Sequence, residues 1–386
     1  MPHTVVEPHG TPSALGVLDA SRSPLHPLAE ETLRAAVGAA WADPAGRHGP
    51  ARSARALLDT AREVLAGALG VRPDELSVHA SAEDALAVGL AGLRHARRRV
   101  GEDVVLGATE RSVLLLGAGT DPVPADPSGR VDEKAFGTAL HSPGVAAAVL
   151  QTANGEVGTR QPVAALDAAA REAGVPLLLD ATASLGRDPL SGHGSVIVAD
   201  AAAFGGPPLG LLGVRTGTRW SLPAPRREAE QGRAWATPWV PLVLAAAEAW
   251  RQTAAGAVDD ARAARALVDR VRAAAAAVRD VEVLGDAVDR LPHVVTFSVL
   301  LADGEALVDE LARRGLAVGS GSACTSSVLR PSHVLAAMGV LTHGNLRLVL
   351  PLEAVSPDRA ADVERFCAAL PEVVGAVRRR MGTEDL

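Results

Sequence analysis

Five short, nearly uninterrupted apolar runs recur through the first two thirds of the chain, at Val104 to Leu106, Val145 to Leu150, Leu177 to Leu179, Val196 to Val198 and Leu211 to Val214. Helical patterns such as Val163 to Ala173 fall between them. A strand that is apolar at every position has no face left for water, so runs of this kind separated by helices predict a largely parallel sheet covered on both sides. Ahead of them, Gly16 to Pro24 reads as a short strand entering a turn. A first helix carries Leu33, Val37, Ala40 and Trp41, and a second begins near Ser53 and closes at Gly70.

After the Arg- and Pro-rich stretch from Ser221 to Arg233 the pattern changes to long Ala/Arg helices, around Pro241 to Trp250 and Asp259 to Val278. Strands at Val294 to Val299 and Leu346 to Leu350, a helix at Glu305 to Arg314 and a last helix containing Cys367 follow. The reading is an α/β chain of two domains. A large one spans 14–240, and a smaller α+β one is built from 1–13 and 241–386. With 386 residues, 48% of them hydrophobic, both can hold a core.

No apolar run reaches membrane-spanning length, and the first residues lack the basic end and apolar centre of a secretory leader, so a cytoplasmic location is expected. Two cysteines, Cys324 and Cys367, fit a reducing compartment. A formal charge of −7 with no tyrosine and few phenylalanines argues against a nucleic-acid surface. His293 and His343 have no metal-ligand spacing, and the turns at Gly205 and Gly213 precede no Gly-Lys-Ser/Thr. Lys134 is the only lysine; every other basic residue is arginine.

The most chemically suggestive stretch runs from Val318 to Met338, Val-Gly-Ser-Gly-Ser-Ala-Cys-Thr-Ser-Ser-Val-Leu-Arg-Pro-Ser-His-Val-Leu-Ala-Ala-Met. Its Gly, Ser and Thr predict a loop around Cys324 that ends at a helix near His333. By composition, the cysteine suits either a functional thiol or a plain loop position. Cys367, among helical apolar residues, reads as core.

That wording resembles the cysteine desulfurases, the NifS/IscS branch of the class V aminotransferases with the fold-type I scaffold of pyridoxal phosphate (PLP) enzymes. The resemblance extends over almost the whole chain. It implies that Cys324 is the residue that carries sulfur as a persulfide, that Asp180 in Leu179-Asp180-Ala181-Thr182 is the acid facing the pyridinium nitrogen, and that Arg347 clamps the substrate carboxylate. Thr237 matches the threonine that active relatives project onto a partner's phosphate site.

Elsewhere the chain departs from the family pattern. Ala203, before the Gly205-Gly206-Pro207 turn, stands where the Schiff-base lysine is expected, and Lys134 lies in a charged helix start. In the phosphate turn Glu83 replaces a threonine, and in the lysine segment Asp200 and Ala202 replace a phosphate-contacting serine and histidine. Arg111 stands for the ring-stacking histidine, Ala183 for a glutamine and Gly155 for an asparagine. Each carboxylate near a phosphate dianion costs on the order of 4 kcal/mol per charge pair at roughly 4 Å and an effective dielectric near 20.

These departures lead to the expectation of a chain that binds no cofactor and has lost PLP chemistry, keeping Cys324 as a sulfur acceptor. It would work as a dimer, with itself or with an active desulfurase or other sulfur-transfer protein. Two alternatives stay open: a desulfurase that uses PLP without a lysine, and a binding protein whose pocket, lined by Asp200, Glu83 and Arg111, takes another ligand.

Overall fold

The computed structural model describes residues 15–21, 23–190, 192–225, 227–320 and 331–383. In chain order the elements are β1 (Gly16–Val17), α1 (Pro27–Ala39), α2 (Gly49–Leu69), β2 (Leu76–His79), α3 (Ala82–Arg97), β3 (Asp103–Leu106), α4 (Ser112–Leu115) and α5 (Glu133–Ala139). Next come β4 (Val145–Gln151), α6 (Val163–Glu172), β5 (Leu177–Asp180), β6 (Val196–Asp200), β7 (Gly210–Val214) and α7 (Val240–Ala276). The remainder is β8 (Val281–Val283), β9 (Val294–Val299), α8 (Gly304–Arg313), β10 (Leu316–Ala317), α9 (His333–Met338), β11 (Asn345–Val349) and α10 (Arg359–Met381).

The apolar runs form a six-stranded sheet in the order β2-β7-β6-β5-β4-β3. β3 to β6 are parallel, and β7 and β2 add an antiparallel edge. Alternate residues face opposite cores, as a pleated strand requires. Leu177, Leu179, Ile197 and Leu211 join α2, α6 and the first half of α7 on one face. Leu178, Val196, Val198 and Leu212 join α3 on the other. The expected sheet, buried on both sides, is therefore present.

A second core belongs to the antiparallel sheet β11-β9-β8 and the parallel pair β1-β10, covered by α8, α10 and the second half of α7. The sequence predicts two helices here, but α7 is continuous for 37 residues. Nothing in it forces a break: its proline sits at the helix start, and Gly256 costs only about 1 kcal/mol in a run of good helix formers. Val240, Val243 and Ala249 pack into the first core, and Val268, Val271 and Ala275 into the second, so α7 ties the two together. β1 also belongs to the second core, with Leu18 fully buried there.

Two more differences have local causes. α2 starts four residues earlier than expected because His48 accepts the Ala51 amide, but it ends as expected at Gly70, which takes φ +63°. β2, Leu-Ser-Val-His, has no continuous apolar run to reveal it. Its polar side chains are buried because they are satisfied internally, Ser77 Oγ donating to the Leu212 carbonyl at 3.3 Å. Among the described residues, no helix is long and apolar enough to cross a membrane.

Candidate active site

In an open parallel sheet the carboxyl ends of the strands, where chain and ligand meet, form the natural crevice. Here β4 and β5 end together, Gln151 opposite Asp180, with β6 ending at Asp200 beside them. The segment after β3 brings Thr109, Glu110 and Arg111 to the same edge. Gln151 Nε2 donates to the Thr109 carbonyl and hydroxyl, each at 3.0 Å, and its backbone N–H donates to Glu110 Oε1 at 2.8 Å. Asn154 Nδ2 donates to the Thr109 carbonyl at 3.0 Å, so this asparagine braces the floor.

Asp180 is buried, and its Oδ1 accepts the Thr182 amide at 2.8 Å. Its Oδ2 faces Arg111 Nε at 3.3 Å, and Arg111 Nη1 reaches Glu83 Oε1 at the same distance. The pocket thus contains a chain of alternating charge, Asp180–Arg111–Glu83. Reading positions one at a time, the sequence flagged all three but not that Arg111 would pair with both acids. Glu83 lies in the first turn of α3, whose cap is Ser81 Oγ accepting the Asp84 amide. An acid there suits the helix dipole and opposes an incoming anion.

Two carboxyls that the sequence did not single out lie beside this chain, Glu110 fully buried and Glu156 half-buried. Burial pushes the Glu110 carboxyl up to about 8, helped by Asp180 and opposed by the Gln151 amide and Arg111. Burial also raises Glu156, against the Ser332 hydroxyl, Arg347 and His333. Their signal lay in the sequence only as acids within the Thr-Glu-Arg and Asn-Gly-Glu segments.

The remaining expected residues are placed as follows. Arg347 is buried on β11, 3.8 Å from Asp19, and not at the surface. Asp200 caps the short 3₁₀ turn Ala201–Phe204 through the Ala202 amide at 2.9 Å, and Ala203 within that turn accepts from Arg187 Nε through its carbonyl. Lys134 is exposed on α5 and Thr237 is exposed ahead of α7. No group of His, Cys, Asp and Glu among the described residues is arranged to hold a metal.

Cys324 lies outside the described residues, as do residues 1–13, but the flanks of its segment are held at the pocket. Gly319 and Arg347 exchange backbone hydrogen bonds of 3.0 and 2.8 Å. On the other side Ser332 caps α9, and His333 Nε2 lies 2.8 Å from the Glu110 carbonyl, to which it donates.

A mostly parallel sheet with acids converging at its carboxyl edge, joined through one long helix to a small α+β unit, is the scaffold of fold-type I PLP enzymes. A solved structure titled as a NifS-like protein superposes with a TM-score of 0.82 at 20% identity, covering 93% of this chain and 99% of its own. The aminotransferase class-V family model matches residues 219–352. An IscS-like cysteine desulfurase of Mycobacterium tuberculosis (strain ATCC 25618 / H37Rv) is 33% identical over 382 residues, 93% of this chain and 96% of the relative. A cysteine desulfurase of Cereibacter sphaeroides is 30% identical over 88% of this chain and 90% of its own. The chain belongs to the cysteine desulfurase family.

That relationship corrects one expectation. Cysteine desulfurases depend on PLP, so a PLP-binding protein is what the relatives lead one to expect, and the cofactor-free reading does not stand. The residues fit the group in part. Asp180 is a buried acid that a pyridinium nitrogen can use, but it is already paired with Arg111. The only lysine of the chain stands exposed on α5, and Ala203 offers no amine. In this pocket the cofactor would meet Asp180 and would find no amine at Ala203.

Proposed function

We propose that this chain is a sulfur-transfer protein of the cysteine desulfurase family in which Cys324 receives sulfane sulfur generated by an active desulfurase and passes it on. The observation that carries the reading is a contrast within one site. The pocket has no amine at Ala203, while the segment bearing the thiol keeps its Gly/Ser/Thr wording and is fastened at both flanks beside Asp180, Glu110 and Arg347.

The step balances without a further oxidant. The Cys324 thiolate attacks the outer sulfur of a donor persulfide, a new S–S bond forms at Cys324, the donor's S–S bond breaks, and the donor leaves as a thiolate. The chain would pair with a second copy or with the active desulfurase, with exposed Thr237 offered towards that partner, and Arg347 would orient the carboxylate of a bound cysteine. A cytoplasmic setting suits the thiol chemistry.

A second reading is favoured by Asp180, still buried at the end of β5: a desulfurase acting on its own with PLP held non-covalently. One experiment separates them. The protein is incubated with cysteine and PLP, alone and with an active desulfurase, and persulfide is mapped by mass spectrometry in wild type, Cys324→Ser and Cys367→Ser, with sulfide measured in parallel. Persulfide on Cys324 only when the desulfurase is present supports the carrier. Persulfide or sulfide without it supports the second reading, and label on neither cysteine, or equally on both, defeats the carrier.

A further inference from the structure

Both ends of the segment that bears Cys324 meet one group of charges. At the near end Gly319 pairs through its backbone with Arg347 on β11, and a Cβ at Gly319 would lie 2.8 Å from Asp19, the acid that faces Arg347 at 3.8 Å. At the far end Ser332, 4% exposed, opens α9 and its hydroxyl accepts the Leu335 amide at 3.3 Å. Glu156 joins the two. The Ser332 hydroxyl donates to its carboxylate, and Arg347 and His333 favour its charged form.

Neighbours on three elements fix where Glu156 stands. Asn154 Oδ1 accepts the Glu156 and Val157 amides at 2.8 and 2.9 Å, closing a tight turn after β4. The Glu156 carbonyl accepts Thr296 Oγ1 at 2.5 Å, and Thr296 on β9 is the residue directly opposite Arg347 on β11. Val157, next in the chain, packs with Val334, Leu335 and Met338 of α9. One carboxyl oxygen, Oε1, is buried without a hydrogen-bond partner among the described residues. A buried carboxylate short of donors takes up a proton readily, and burial holds this carboxyl above its ordinary range.

We infer that Glu156 is a positioning residue for Cys324: as a carboxylate it ties Ser332, at one end of the segment, to Arg347 and so to Gly319 at the other. The inference rests on the reading of Cys324 as the acting thiol, and it makes the setting of that thiol depend on pH. Ionised Glu156 is drawn to Arg347 and takes a charge-assisted bond from Ser332, about twice as strong as a neutral one. Protonated Glu156 keeps only the weaker bond. α9 stays docked through Val157, so the change is confined to the ends of the segment. The other titratable groups on this side are His333, whose Nε2 donates to the Glu110 carbonyl at 2.8 Å, and Asp19 beyond Arg347.

The test uses the full chain carrying Cys367→Ser, which leaves Cys324 as its single cysteine. The rate of Cys324 with dithiodipyridine, a disulfide that reacts in acid as well as in neutral solution, is measured from about pH 4 to 8 in this parent, in Glu156→Gln and in Glu156→Asp. Each rate is divided by that of Glu156→Gln at the same pH, so that the ionisation of thiol and reagent cancels. Gln keeps an acceptor for Ser332 but cannot ionise. The parent ratio should be near one in acid and fall about tenfold towards neutral pH, the factor that one charge-assisted hydrogen bond supplies. Glu156→Asp, a carboxylate again, should restore a fall. A merely structural Glu156 would alter the unfolding midpoint and leave the ratio constant with pH. A constant ratio overturns the inference, as does a Glu156→Asp profile as flat as that of Gln. No sulfur donor takes part, so the outcome is separate from the persulfide mapping: a constant ratio with label on Cys324 removes the positioning role and leaves the carrier, and a falling ratio without label does the reverse.

Discussion

Replacing Glu230 by alanine offers the sharpest test of how the segment before α7 is held. Glu230 is 7% exposed and Arg62 9%, and the pair is bidentate, with Arg62 Nη1 2.9 Å from Oε2 and Nη2 2.7 Å from Oε1. Oε2 also accepts the Val78 amide at 2.7 Å, which joins the segment to edge strand β2. Glu230 and Gln231 take φ of 51° and 56°, left-handed values that disfavour side chains, so the ion pair holds a strained turn in place. Removing the carboxylate strands a buried guanidinium, at about 3–5 kcal/mol, and leaves the Val78 amide unpaired, at about 1 kcal/mol more. The expected loss for Glu230→Ala is about 4–6 kcal/mol, a fall of about 5–7 °C in midpoint for a chain of 386 residues. Urea unfolding followed by tryptophan fluorescence measures it. Glu230→Gly, which tolerates the left-handed backbone, should be about 1 kcal/mol less damaging, and Arg62→Met with Glu230→Ala should recover about 2 kcal/mol by leaving no charge stranded. A loss under about 1 kcal/mol for alanine, or a glycine variant less stable than alanine, would refute the argument.

A Cβ at Gly92 would sit 2.0 Å from the Trp220 ring, whose Nε1 donates to the Gly89 carbonyl at 3.1 Å, so Gly92→Ala should cost about 1–3 kcal/mol and shift the tryptophan emission. Glu110 binds its proton more tightly folded than unfolded, so its contribution is intact below 4.5 and is lost as pH rises through about 8. Glu110→Gln should flatten that decline, by on the order of 5 kcal/mol across the window, in urea titrations from pH 5 to 9. Arg111→Ala, by releasing Asp180 from its ion pair, should tighten PLP about tenfold in a fluorescence titration; unchanged or weaker binding would show that Arg111 does not compete for that acid.

The sheet was legible because its strands are apolar on both faces, a pattern that leaves few alternatives. β2 was not, since Ser77 and His79 conceal their burial behind polar side chains whose partners, Leu212 and Asp84, lie far from view in a linear reading or become neighbours only after folding. The sequence reading placed two helices, around Pro241 to Trp250 and Asp259 to Val278, where one runs through, because continuity is decided by packing against two cores at once. At the site, residue types were readable and pairings were not. Arg111 read as a lost ring-stacking position, and only the fold shows it placed between Asp180 and Glu83. Glu110 could be seen as an acid, but its elevated proton affinity depends on burial that no local pattern announces.

A hydrogen-bonded series on β2 shows why chemistry has to be weighed together with access. Ser77 Oγ lies 3.1 Å from His79 Nε2, and His79 Nδ1 lies 3.0 Å from Asp84 Oδ2, the order of groups that activates a serine nucleophile. Ser77, however, is fully buried in the sheet and already donates to the Leu212 carbonyl, and burial lowers His79 below its ordinary range, against the pull of Asp84. No substrate reaches that hydroxyl, so the series works as an internal tie between β2, β7 and the first turn of α3. At the carboxyl edge the balance is reversed. Arg111 and Glu83 are partly open to solvent at 38% and 50% of their side-chain surface, while Asp180 behind them is 3% exposed. The outer pair can separate at little cost, since exposed ion pairs are worth about 0–1 kcal/mol, whereas Asp180 must always face a cation. A ligand that enters here therefore has to bring a positive or hydrogen-donating group to Asp180 and accept Arg111 as a neighbour.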